Sequence, residues 1–153
     1  MTAVLFGVLF PLAAPFWALM ILAPRWSWTR RIVASPLIVV PPVLVYALLV
    51  LPRLAELLPA VAAPTLPGVQ ALLGTAGGAA AAWAHFIAFD LFVGRWMYLD
   101  SQRRGVHPLV MAPLLVLTIL LAPLGLLAYL LLSHLALRYR SAPRSQPAQP
   151  VTS

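Results

Sequence analysis

This chain has no cysteine and no lysine, and only three acidic residues, Glu56, Asp90 and Asp100. The lack of cysteine excludes disulfides, thiolate nucleophiles and cysteine-ligated metals or clusters. The lack of lysine reads as a coding bias and excludes no mechanism. Charge as a whole is scarce: 8% of the 153 residues are charged and 63% are hydrophobic. Soluble domains carry about a quarter charged residues, so this chain is built for lipid as its solvent. A phosphate-binding glycine loop, a nucleophile elbow and a repeated zinc spacing are also missing. No metal site and no cofactor are expected.

The charge that is present is lopsided. Ten arginines give a formal net charge of +7. In a soluble protein that excess would suggest nucleic acid. Here most arginines flank apolar runs, where they orient helices and meet anionic headgroups, so no nucleic-acid partner is expected. The amino terminus lacks the basic stretch of a signal peptide, and its apolar run is longer than such a peptide's, so it is expected to be a first transmembrane helix that stays.

A hydrocarbon core of about 30 Å needs about 20 apolar residues per helix. Four segments meet that length, at residues 3–23, 32–51, 78–99 and 109–132. The expected fold is therefore all-α: one polytopic domain over residues 1–140 with four transmembrane helices. Residues 52–77 are apolar but interrupted by Pro59, Pro64, Pro67 and Gly68, which reads as a surface loop with an interfacial helical turn, a re-entrant segment being the alternative. The tail over 141–153 is rich in proline and polar residues and is expected to be disordered. Prolines fall within three of the spans, at Pro11 and Pro15, at Pro36, Pro41 and Pro42, and at Pro113 and Pro123, and each tends to kink its helix. LLAPLGLL, with Pro123 two residues before Gly125, is the expected site of the sharpest bend. Arg25, Arg30 and Arg31 in the first connection and Arg103 and Arg104 in the third share a side in a four-span protein. The positive-inside rule makes that side cytoplasmic and turns both termini outward, although Arg138, Arg140 and Arg144 oppose that orientation. Trp26, Trp28, Trp96 and Tyr98 fit an aromatic belt on the arginine side.

The stretch AHFIAFDLFVGRWMYLD, from Ala84 to Asp100, concentrates ionisable groups in an apolar span. At 100° per residue, His85, Phe89, Phe92 and Trp96 form one stripe, and Asp90 lies on a face about 140° away. Arg95 occupies a third side. These three polar groups therefore need neighbours from other helices. An aspartate near mid-span costs about 2.5–3.5 kcal/mol to insert and usually marks a site or a pathway, or else clamps helices together. Tyr46, Thr118 and Tyr129 are the hydroxyls at membrane depth that could satisfy Asp90 or His85. Asp100 can cap, turn or pair with Arg103 or Arg104. The run GTAGGAAAA, from Gly74 to Ala82, suits close helix packing.

DLFVGRW followed by Asp100 and by LTILLAPLGLLAYL resembles the family of the plant abscisic-acid-deficient-four protein, which is associated with neoxanthin synthesis and has bacterial members. PFWALMILAPRWSWTRRIVAS, from Pro15 to Ser35, is similar to that family's first helix and loop. The resemblance covers nearly the whole chain apart from the tail. It implies a multi-pass protein of a cell membrane, such as the bacterial inner membrane, that isomerises or binds a carotenoid or related isoprenoid. The reaction implied opens an epoxide and removes a proton from a nearby carbon, leaving an allene and a hydroxyl. Asp90 and His85 are then the candidate acid and base, with Arg95 stabilising the developing alkoxide. Phe89, Phe92, Trp96 and Tyr98 are candidates to line the substrate. The alternative is a non-catalytic scaffold, or a lipid-binding partner of another membrane enzyme. The partners expected are membrane lipids, the isoprenoid, and a second copy or a membrane enzyme.

Overall fold

The structure, a computed structural model, describes residues 1–141, with side chains as far as His134. The sequence reading for the tail falls almost wholly outside those residues. Among the described residues every regular element is helical. Helix α1 (Thr2–Leu22) leads through a short turn to α2 (Ser27–Ala34). A 3-10 turn over Pro36–Val39 opens α3 (Val40–Val50), and a second one over Leu51–Arg53 passes into α4 (Leu54–Ala62). Then follow α5 (Leu66–Leu73), α6 (Ala76–Arg104), α7 (Pro108–Leu120) and α8 (Ala122–Ser141).

Helix α6 is the axis of the bundle, packing against α1, α3, α5, α7 and α8. Its buried positions are mostly small, among them Ala80, Ala81, Ala84, Ala88 and Gly94. Where lipid solvates every outer face equally well, close backbone approach is what makes helices associate, and small residues permit it. Gly94 is the clearest case: a Cβ there would lie 2.2 Å from the ring of Trp17 on α1. Helix α1 answers with Leu9, Ala13, Trp17 and Met20, a buried stripe at spacings of four, four and three.

Three segments, Thr2–Leu22, Pro36–Ala62 and Ala76–Arg104, are long and apolar enough to cross a membrane. The region over 52–77 is not the loop expected from its prolines. Pro52 sits in a 3-10 turn and Pro67 in the first turn of α5, positions where a missing N–H costs little. The side chain of Thr65 accepts from the Gly68 N–H at 3.2 Å, and that of Thr75 from the Gly78 N–H at 3.0 Å, starting α5 and α6. Pro59 lies inside α4, and the other breakers fall in turns or first helical turns, so the prolines do not exclude helix here.

The fourth expected span also differs. Its helix breaks at Leu121, with φ −148° and ψ 73°. Pro123 has no N–H to offer the carbonyl of Ile119, so the ladder cannot run through. The break is close to a reversal, because α8 folds back on α7 and brings Gly125 against the backbone of Thr118. In a continuous helix seven residues would separate those positions by about 10 Å. Further contacts set the direction. Leu121 and Pro123 border the same cavity as Asp90, whereas Tyr129 donates to Asp100 at 2.7 Å. Asp100 is ten residues beyond Asp90, towards the end of α6 that carries Arg103 and Arg104. Helices α7 and α8 therefore form a hairpin that enters the bundle at that end and returns to it.

The hairpin changes the orientation argument. The first connection meets the third at this end, where Pro24 and Arg25 lie beside His107 and Pro108. Arg138 and Arg140, by their position on α8, come to the same end, so they no longer oppose the positive-inside rule. The chain's lack of cysteine allows a direct check with single cysteines and an impermeant maleimide on oriented vesicles. Gln102→Cys and Ser141→Cys should label from one side, and Thr2→Cys and Gln70→Cys from the other. Labelling of the Ser141 probe together with the Thr2 probe would show that α8 crosses.

Candidate functional site

Asp90 projects from the middle of α6 into a cavity of about 590 Å³. One wall comes from α6 itself, with Trp83, Phe86 and Phe89, and Phe10 of α1 adds to it. The opposite wall is the tip of the hairpin, from Ile119 through Pro123 to Leu126. The side chain of Asp90 is half-buried and has no hydrogen-bond or ion-pair partner among the described residues. It is the one ionisable side chain in a largely apolar lining. A broken helix beside it is the usual way that irregular backbone is tolerated at membrane depth, where it lines a cavity.

His85 does not share this cavity. It stacks on Phe89 with centroids 4.5 Å apart and lies 5.9 Å from the ring of Tyr46. It opens into a second cavity, of about 350 Å³, between α6 and the α3–α4 and α5 segments. Phe86 borders both cavities and separates them.

Arg95 belongs to neither. Its Nε donates to the carbonyls of Val33 at 2.8 Å and Ser35 at 3.3 Å, and a terminal nitrogen donates to that of Ala34. These carbonyls end α2 and open the next turn, where a helix leaves acceptors without partners and a cation is favoured. The helical separation of the three polar groups on α6 thus persists in the bundle, and no other helix reunites them.

The aromatic candidates also divide. Phe89 borders the Asp90 cavity. Phe92 is 49% exposed on the outer surface. Trp96 sets its ring edge against Tyr129, with centroids 5.8 Å apart. Tyr98 is fully buried and donates to the carbonyl of Pro24 at 2.7 Å, so it ties the first connection to α6 and forms no part of a surface belt. Among the hydroxyls, Thr118 donates to the carbonyl of Leu114 at 2.8 Å and contacts the sulfur of Met97. Tyr129 serves Asp100, not Asp90. Arg104 donates to the same carboxylate, in keeping with the expected pairing of Asp100. Two tertiary features were missed in sequence, one at the site and one away from it. The hairpin tip facing Asp90 had a signal in Pro123 and Gly125, which marked a bend without saying where it pointed. The Asp100–Tyr129 bond had none, because it spans 29 positions.

Apolar helices packed by small residues, with a half-buried carboxyl that has no partner among the described residues facing a cavity, fit a helical membrane protein. Over residues 4–129 the chain matches the family described as ABA DEFICIENT 4-like. It belongs to that family. No curated protein and no solved structure matches it.

Proposed function

We propose that the protein binds an apolar isoprenoid, a carotenoid or a close chemical relative, in the Asp90 cavity and isomerises it there. The observation that carries this reading is an unpartnered carboxyl in an apolar cavity of about 590 Å³, a volume within the range of about 300–1,000 Å³ that ligands occupy. Family membership favours the same reading.

For an epoxide-to-allene isomerisation nothing is added to the substrate. A proton leaves carbon, the C–O bond of the epoxide breaks, the electron pair of the C–H bond forms the new double bond, and the oxygen gains a proton. A carboxyl group can perform both transfers, since its hydroxyl donates while its other oxygen accepts, and it is regenerated at the end. His85 and Arg95 face elsewhere, so this chemistry falls to Asp90 alone. The surrounding apolar wall keeps water from competing for the opened epoxide.

The test is a strain supplied with an epoxycarotenoid. Asp90→Ala should abolish product at normal membrane abundance, and Asp90→Asn should do the same, because an amide can donate but does not accept a proton from carbon. Full product from either variant would end the proposal. A second reading, binding without catalysis, rests on the same apolar lining. It predicts a co-purifying polyene that Asp90→Asn retains and that emerges chemically unchanged.

A further inference from the structure

We infer that the second cavity, on the other side of α6, is a separate binding site for a long-chain neutral alcohol. Its lining contains two polar side chains, Tyr46 and His85, which stand next to each other with rings 5.9 Å apart. Neither has a hydrogen-bond partner among the described residues. His85 is nine residues into α6, about 13 Å along its axis, and so lies within a segment long and apolar enough to cross a membrane. Tyr46 is half-buried and His85 exposed, so both polar edges are open to a ligand, and a ligand hydroxyl, which both donates and accepts, would serve the two together.

The rest of the cavity specifies the tail. Leu57, Val61 and Leu72 form an apolar outer wall, and Ala82 leaves room on the α6 side. Charge argues against a phosphate, ammonium or carboxylate head, since no ionised carboxylate or guanidinium lines the cavity. The nearby Arg53 is already paired with Glu56 at 3.1 Å. This site does not depend on the Asp90 reading, from which Phe86 divides it.

The experiment uses the full chain in phosphatidylcholine nanodiscs with three probes: diazirine-bearing hexadecanol, its alkane analogue and its carboxylic acid analogue. Cross-links are mapped by mass spectrometry. The alcohol should label peptides carrying Leu57, Val61 and Leu72 about tenfold more than the alkane, as expected for two neutral hydrogen bonds made out of water. Tyr46→Phe combined with His85→Phe should bring the alcohol down to the alkane level. Ala82→Leu, which fills the cavity, should suppress all three probes there even where the protein stays monodisperse. Asp90→Ala should leave the labelling unchanged, which separates failure here from failure of the proposed reaction. Equal labelling by alcohol and alkane, or stronger labelling by the acid, would overturn the inference.

Discussion

Gly125→Leu should leave little folded protein in the membrane, with the monodisperse peak on size exclusion falling about tenfold. A Cβ at this position would lie 2.2 Å from the Thr118 hydroxyl oxygen and 2.7 and 2.8 Å from the Thr118 nitrogen and Cα. The hydroxyl can rotate away, but the backbone cannot. Overpacking against side chains costs about 1–3 kcal/mol, and a clash with backbone has no such relaxation, so α8 must swing off α7. The consequences then spread. Tyr129 loses Asp100, the edge contact with Trp96 opens, and the wall facing Asp90 moves away. Leu124→Ala, one residue earlier and 52% exposed, controls for the bulk change and should behave as the parent. A Gly125→Leu protein with parental yield and melting would mean that the hairpin does not pack in this way.

That position also shows how far the sequence could be read. Hydropathy and length found the apolar runs, because hydrocarbon demands a continuous stretch of apolar side chains on a hydrogen-bonded helix. The same criterion cannot distinguish a span from a hairpin of equal length. LLAPLGLL announced a break through the missing N–H of Pro123, but the direction taken after it depends on Gly125 finding Thr118 and on Tyr129 finding Asp100. Both are tertiary facts. Residues 52–77 failed in the opposite way, since their prolines were counted as breakers when several occupy turns or first helical turns. For the site, the wheel correctly separated His85, Asp90 and Arg95, because angular position on one helix is a local property. It could not assign their neighbours. The small-residue run before His85 was read as packing, and Ala80, Ala81 and Gly78 are indeed buried, yet Ala82 also leaves room for a cavity. One composition serves both ends, and the facing helix decides which.

Arg95→Met should lower the melting midpoint in detergent by about 10 °C while leaving the reaction proposed for Asp90 intact per folded molecule. The guanidinium satisfies three carbonyls, those of Val33, Ala34 and Ser35, at the point where α2 stops and the chain turns into the bundle. Hydrogen bonds to a charged group are worth about 1.5–3 kcal/mol each, and because these share one donor group the combined loss should be about 3 kcal/mol. For a chain of this size each kcal/mol moves the midpoint by about 2–4 °C. Arg95→Lys should recover less than half of the loss. A lysine ammonium is a single point charge, whereas the planar fork of arginine reaches carbonyls that diverge around a helix end. The two readouts separate the roles proposed for this residue. If Arg95 stabilised an alkoxide in the Asp90 cavity, the methionine variant would keep its midpoint and lose turnover. If it anchors α2, the midpoint falls and the proposed reaction survives in each folded molecule, because Asp90 and its wall of Phe86, Phe89 and Pro123 are untouched.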